Sequence, residues 1–118
     1  MSQQSYFEKS IDWVSKKSNN TFKAKLNGHE APKVFKNKNT GEEVQADFSF
    51  QNQSGTKSYT EIALKSDSPQ KLVTRWKLLS LMASLKQGKL FLLAPKGHIS
   101  FTQKLVDTYN INATIYSL

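Results

Sequence analysis

The sequence predicts an α/β domain in which helices flank a mixed β-sheet of about five strands, and three observations lead to this prediction. Apolar and polar residues alternate over 42–48 and 59–65, which indicates two strands that each bury one face. Apolar residues recur at helical spacing near the amino terminus and again after Pro69. The continuous apolar run 90–94 is typical of a central parallel strand.

The first half of the chain is predicted to form one helix and three strands. Ser5 and Glu8 have the spacing of a capping box, so a helix is expected to begin there. The polar residues 51–56 are expected to form a hairpin loop between the second and third strands. The predicted helix and strands cover residues 6–17, 21–26, 42–48 and 59–65.

The second half is predicted to alternate helices and strands. Ser68 and Pro69 provide an N-cap followed by proline at the first helical position. Gly88 suits the left-handed position after that helix. Ser100 and Gln103 form a second capping box. The complete predicted order is α-β-β-β-α-β-α-β, and the last two strands cover residues 90–94 and 113–117.

Length and composition favour a single domain over residues 1–118. Hydrophobic residues make up 37% of the chain, which is enough for a core and unlike a disordered composition. No apolar run approaches the ~20 residues of a membrane span, and the first residues lack the pattern of a secretory signal. The sequence contains no cysteine, which excludes disulfides and thiolate chemistry and agrees with a cytoplasmic location.

The charge of the chain favours a polyanionic partner. Its formal net charge is +8, and nucleic acid, DNA in particular, is the commonest partner of so basic a small domain. Arg75 is the only arginine, so contacts with phosphates are expected more than reading of bases. The alternative is that the lysines form a solvated surface, as in a basic protein-interaction domain. The candidate phosphate-binding residues are Lys16, Lys17, Lys36, Lys38 and Lys96.

Three residues of the two alternating strands form the candidate catalytic site. If the strands pair as a hairpin, Asp47, Glu61 and Lys65 can share one polar face. Two carboxylates can hold a divalent metal, and the ammonium can contact a phosphate. We therefore take Asp47 and Glu61 as candidate metal ligands and Lys65 as a candidate catalytic lysine, with Mg²⁺ as the candidate cofactor.

The stretches 41–48 and 62–66, together with the element order, resemble the PD-(D/E)XK nuclease superfamily, especially its small resolvase-like members. The resemblance implies a restriction-endonuclease-like fold and a metal-dependent DNA endonuclease. It also implies that Asp47 binds the metal and that Lys65 positions the attacking water and steadies the phosphate. Resolvase-like relatives are often dimers, so a homodimer is a further implication.

The sequence departs from this family at Ala63, where the pattern expects an acid two residues before the lysine. Glu61 is then the candidate for a displaced second carboxylate. The alternative is a catalytically inactive, nuclease-derived module that binds nucleic acid or a protein. Glu8 and Asp67 are further acids that could complete a site, although helix capping explains both. Trp13 falls off the apolar stripe and is a candidate for stacking on a base.

Overall fold

The computed structural model of the chain describes residues 3–18, 21–26, 28–51, 55–66 and 68–118, and these form three helices and seven strands. The predicted hairpin-loop residues 52–54 and the candidate acid Asp67 lie outside the described residues. In chain order the elements are α1 (Gln3–Ser18), β1 (Phe22–Ala24), β2 (Val34–Lys36), β3 (Glu43–Gln45), β4 (Phe48–Gln51), β5 (Lys57–Ile62), α2 (Pro69–Leu85), β6 (Leu90–Ala94), α3 (Ile99–Thr108) and β7 (Ala113–Ser117).

The central sheet has five strands in the order β1-β4-β5-β6-β7. Its first three strands are antiparallel, whereas β5, β6 and β7 run parallel. Each parallel step needs a crossover connection, and α2 and α3 supply the two crossovers. The predicted α/β class, with a mixed sheet of about five strands flanked by helices, is confirmed.

A small hairpin that the predicted order lacks lies between β1 and β4. Strands β2 and β3 form a separate antiparallel pair, with Phe35 opposite Val44. Gly41, with φ +76°, makes the turn between them. The segment 42–48 is therefore not one strand, because the chain bends at Asp47 and leaves the hairpin to join the main sheet. Apolar residues alternate in the sequence with the same period before and after the bend, so the sequence pattern does not reveal it.

The sheet separates two groups of buried side chains. Helix α1 covers one face, where Val14 and Phe7 pack with Phe48 of β4. Helix α2 covers the other face, where Trp76 packs with Leu92 and its neighbours in β6. Within the described ranges, no helix combines the length and the apolar character needed to cross a bilayer.

The carboxyl end of α2 differs from the prediction in one respect. Gln87, not Gly88, adopts the left-handed conformation, with φ +60°. The N–H of Gly88 donates to the carbonyl of Ala83 and that of Gln87 to the carbonyl of Ser84, as in a Schellman motif. Gly88 is needed for another reason: a Cβ there would lie 1.8 Å from the carbonyl oxygen of Lys57. Glycine thus lets the chain pass against the start of β5.

Candidate functional site

Asp47 and Glu61 meet where β4 and β5 pair. Phe48 lies opposite Thr60 in the antiparallel register, so the preceding Asp47 lies opposite Glu61. The N–H of Asp47 donates to Oε2 of Glu61 over 3.1 Å. The N–H of Ile62 donates to Oδ2 of Asp47 over 2.9 Å. Two backbone amides therefore fix both carboxylates at this end of the strand pair.

Two cations from other elements neutralise the acidic pair. Nζ of Lys25, just after β1, lies 3.5 Å from Oδ1 of Asp47. Nε of Arg75, on α2, forms an ion pair with Oε1 of Glu61, and its Nη2 donates to the carbonyl of Gln45. Each of the four carboxylate oxygens thus faces a nitrogen donor. The result is a cluster of two acids and two bases that joins β1, the bend before β4, β5 and α2.

The two carboxylates are nearly excluded from solvent. Asp47 is 6% exposed and Glu61 is 3% exposed. Burial raises the pKa of Glu61 well above its usual range, and the neighbouring Asp47 carboxylate adds to this effect, while Arg75 opposes it. A buried acid whose proton is held more tightly than usual, beside a second acid, is typical of sites that bind or react with a charged group.

Lys65 does not join this pair. Strand β5 ends at Ile62, and Lys65 is exposed three residues after that end. Its backbone N–H donates to Nδ1 of His98 over 2.9 Å. Among the described residues, no ion pair links its ammonium to Asp47 or Glu61. The structure therefore brings together two of the three candidate catalytic residues.

Ala63, where the family pattern expects an acid, is fully buried among core residues. Its N–H donates to the carbonyl of Leu93 in β6 over 2.8 Å. A charged side chain here would be buried within the core under α2, and an unpaired buried charge is costly. The second carboxylate of the site is Glu61, two residues earlier on the same strand face.

The structure adds Lys25 and Arg75, which sequence reasoning did not place in the site. Lys25 carried a usable signal, because it alternates with apolar residues in the predicted first strand and so faces the polar side. Arg75 sits between the buried Val73 and Trp76 on α2. A lone arginine beside buried helix positions needs a partner, although the sequence does not say which acid it meets.

The five candidate phosphate-binding lysines are exposed and lie on three separate parts of the fold. Lys16 and Lys17 end α1, Lys36 and Lys38 belong to the β2–β3 hairpin, and Lys96 follows β6. Nζ of Lys17 lies 5.5–5.8 Å above the rings of Trp13, Phe91 and Tyr116. Trp13 packs edge-on against Phe91, at 5.3 Å between ring centroids, and is only partly exposed.

No family model, curated protein or solved structure matches this chain.

The acidic pair has the donor type that Mg²⁺ prefers but few donors. Mg²⁺ takes oxygen ligands and is commonly held by one or two carboxylates together with substrate phosphates. Within the ranges that the structure describes, no three or more histidine, cysteine, aspartate or glutamate side chains form a cluster able to hold a metal. Glu8 is exposed on α1 and is not part of such a cluster. Asp47 and Glu61 thus supply two buried carboxylates, and each of their four oxygens already has a nitrogen partner.

Proposed function

We propose that this chain is a nuclease-like domain that binds DNA through its backbone and hydrolyses a phosphodiester with Mg²⁺. The observation that carries the proposal is the side-by-side placement of Asp47 and Glu61, with Lys25 and Arg75 against them. Two adjacent acids can hold a divalent metal for phosphodiester hydrolysis, and a base beside them can neutralise charge on the phosphate.

The topology gives further support. A helix precedes three antiparallel strands, and α2 then crosses over to the parallel strand β6. This order resembles the restriction-endonuclease-like fold of the PD-(D/E)XK superfamily once the β2–β3 hairpin is set aside as an insertion. In that resemblance Asp47 corresponds to the metal-binding aspartate at the second strand of the core. Glu61, on the third strand, provides the second acid.

Each residue of the cluster has a definite part in the proposed reaction. A bound divalent ion supplies the Lewis acidity that neutralises phosphate charge and lowers the pKa of water. Asp47 and Glu61 hold that ion, and the amides of Asp47 and Ile62 fix their orientation. Lys25, whose side chain is 45% exposed, can turn from Asp47 towards a phosphate oxygen. Arg75 keeps Glu61 in place from α2.

A second candidate function, a catalytically inactive nuclease-derived module that binds nucleic acid or a protein, rests on one observation. Every oxygen of the two carboxylates already has a nitrogen partner, and Lys25 and Arg75 balance the charge of the pair. A self-contained buried ionic cluster can serve specificity of folding instead of catalysis. Ala63 at the position of the expected acid favours the same alternative.

The remaining partner proposals follow from charge and from the resemblance. The exposed lysines of α1, of the hairpin and of the loop after β6 are proposed to contact DNA phosphates. A homodimer would place two sites on two strands. The lack of cysteine suits a reducing compartment such as the cytoplasm.

The decisive experiment compares DNA cleavage by the wild type, Asp47→Asn and Glu61→Gln with Mg²⁺ or Mn²⁺. Plasmid and branched DNA are the substrates, and Asp107→Asn, at an exposed aspartate of α3, is the matched control. We expect the wild type and the control to cut the DNA and both site variants to lose activity. Cleavage that survives both site substitutions would refute the proposed site.

A wild type that binds DNA without cutting it would favour the inactive module. In that case binding should weaken strongly between about 50 and 200 mM salt, because phosphate contacts release counterions. Binding that does not respond to salt would contradict both DNA-related proposals.

A further inference from the structure

A cavity of about 200 Å³ lies beside the sheet, where β1 begins, β4 ends and β5 begins. It belongs to the same sheet face as the acidic pair, because Ser49 lies opposite Tyr59 and Tyr59 is two residues before Glu61 on β5. At ~3.4 Å per residue, Tyr59 and Glu61 are about 7 Å apart along the strand. None of the cavity residues belongs to the acidic cluster. The polar residues that line the cavity are Thr21, Lys23, Glu30, Ser49, Gln51 and Lys57.

The cavity region has an excess of positive charge. Lys57 interacts electrostatically with Lys23, Lys33 and Lys86, and partial burial followed by these three like charges lowers its pKa. Glu30 is the acid that lines the cavity, and its Oε1 lies 3.5 Å from Nζ of Lys23. Lys23 and Lys57 thus line the cavity with one exposed glutamate, and a bound anion would relieve the repulsion that Lys57 experiences from the neighbouring lysines.

Ser49 gives a second, independent indication of a ligand. The residue is 1% exposed, and its hydroxyl has no hydrogen-bond partner among the described residues. Buried hydroxyls without partners are rare, because each one costs the free energy of a lost hydrogen bond. Ser49 lies opposite Lys23 in the β1–β4 register. A donor without an acceptor thus stands next to a lysine on the cavity wall.

We propose that this cavity is a binding site for a phosphate group, held by Lys23, Lys57 and the hydroxyl of Ser49. The three donors come from β1, β5 and β4, so they approach from three strands. A tetrahedral phosphate offers several acceptor oxygens that can meet donors from different directions, whereas a planar carboxylate offers two. The site requires no metal and does not depend on the acidic pair.

Glu30 acts in this site as a competitor of the ligand. Its side chain is mostly exposed, and in the free protein it neutralises Lys23. A phosphate that enters the cavity must displace the Glu30 carboxylate from Lys23 or bind beside it. Removal of the negative charge of Glu30 should therefore strengthen phosphate binding, which is the opposite of the effect of removing a lysine.

The test is a titration of the ¹⁵N-labelled full chain with inorganic phosphate, followed by amide chemical shifts. Sodium chloride at matched ionic strength is the reference, and EDTA is present throughout so that metal binding plays no part. We expect saturable shifts centred on the amides of Lys23, Ser49 and Lys57. Shifts that rise linearly without saturation, or that centre elsewhere, would overturn the proposal.

Matched variants make the test specific. Lys23→Met and Lys57→Met, which keep the apolar stems, should each weaken binding at least about tenfold, which corresponds to about 1.4 kcal/mol for a lost hydrogen bond between charged groups. Ser49→Ala should weaken it less, and Glu30→Gln should tighten it. Lys104→Met, at an exposed lysine of α3, is the control. If Lys104→Met weakened phosphate binding as much as Lys23→Met does, the effect would come from net charge alone, and the proposed site would be refuted.

The source of the phosphate is identified with a short single-stranded oligonucleotide, with and without a 5′-phosphate, in the same EDTA buffer. Tighter binding of the phosphorylated strand, lost in Lys57→Met, assigns the cavity to a terminal phosphate. If both strands displace inorganic phosphate equally well, the cavity binds the nucleic-acid backbone. If neither strand displaces inorganic phosphate, the cavity binds small phosphate compounds. Because no cleavage is measured, failure of this site and failure of the proposed nuclease activity are distinguishable.

Discussion

The amide of Asp47 donates a hydrogen bond to Oε2 of Glu61 over 3.1 Å, so these two residues are joined by more than proximity. The contact extends the β4–β5 pairing beyond Phe48, the first residue of β4, to the bend where the chain leaves the hairpin. A side-chain acceptor here replaces the carbonyl that a regular ladder would supply. Glu61 is consequently both a structural acceptor for the bend and the second acid of the candidate site.

The raised pKa of Glu61 makes the stability of the protein depend on pH. The folded protein holds this proton more tightly than the unfolded chain, whose glutamate pKa is about 4.3. The stabilisation is complete below that value and is lost as pH rises through the folded-state pKa. We expect the free energy of unfolding of the wild type to fall over this range relative to Glu61→Gln. The loss is about 1.4 kcal/mol for each pH unit that separates the folded-state pKa from the unfolded-state pKa.

Urea unfolding at constant ionic strength, in steps between pH 4 and about pH 8, measures this difference. Glu8→Gln is the control because it replaces an exposed glutamate by the same amide. A constant difference between the wild type and Glu61→Gln across the range would contradict a raised pKa. If the wild type became more stable relative to Glu61→Gln as the pH rises, the pKa of Glu61 would be lowered by folding and not raised.

Metal binding at the acidic pair should release a proton. Mg²⁺ or Mn²⁺ needs Glu61 without its proton, so the metal competes with the proton that burial favours. Below the pKa of Glu61 we expect metal affinity to rise up to about tenfold per pH unit. Calorimetry in two buffers of different ionisation enthalpy measures the protons released. Metal binding that is retained in Asp47→Asn, or that releases no proton, would place the ion elsewhere.

Lys25 and Lys65 are competing candidates for the lysine that contacts the phosphate during cleavage. Lys25 lies 3.5 Å from Asp47, whereas Lys65 lies beyond the end of β5 and holds His98 through its backbone. We expect Lys25→Met to lower the cleavage rate about 10²-fold, which is the size of effect that loss of one donor to a developing oxyanion has in other enzymes. Lys65→Met should leave the rate nearly unchanged. The reverse order in single-turnover assays would restore Lys65 to the role that the sequence indicated.

The main sheet could be predicted from the sequence because the strongest patterns belong to residues that are clearly buried. The apolar run 90–94 is buried along its whole length as β6, and the two helical stripes became α1 and α2. The β2–β3 hairpin was not predicted because β3 lies within the segment 42–48, whose alternation indicated one continuous strand. The bend at Asp47 leaves the alternation of apolar residues in the sequence undisturbed.

The candidate site was predictable where it depends on strand alternation and not where it depends on helix rotation. Asp47 and Glu61 were placed on one polar face by their periods within two strands, and the structure pairs them directly. Arg75 reaches Glu61 only because α2 has a particular rotation above the sheet. The wide apolar arc of α2 does not fix that rotation. The alternation also did not show that β5 ends at Ile62, three residues before Lys65.

Arg75 should contribute to stability in a way that depends on pH. Arg75→Ala leaves Glu61 buried without its cation and frees the carbonyl of Gln45, so we expect a loss of about 2–3 kcal/mol near neutral pH. The loss should shrink near pH 5, because Glu61 can then take up a proton. The free energy of unfolding of Arg75→Lys should lie between those of the wild type and Arg75→Ala, because one ammonium replaces a guanidinium that bridges two acceptors.

Urea midpoints of these variants at the two pH values measure the effect. Lys71→Ala, at an exposed lysine of the same helix, is the control and should stay within about 0.5 kcal/mol of the wild type. An Arg75→Ala variant as stable as this control would show that the guanidinium is not needed to balance Glu61.

Gly88→Ala should be the most destabilising glycine substitution among those that the structure describes. The added Cβ would lie 1.8 Å from the carbonyl oxygen and 2.4 Å from the carbonyl carbon of Lys57, so backbone must move. That movement would pull the start of β5 away from the turn after α2, where the N–H of Lys57 donates to the carbonyl of Lys86. We expect the free energy of unfolding to fall by about 3 kcal/mol or more.

Gly41→Ala is the control for this prediction. The φ angle of Gly41 is +76° and the space around it is open, so only about 1 kcal/mol of backbone strain is expected. Thermal unfolding that ranks Gly41→Ala as the worse variant would contradict the close approach of Gly88 to β5.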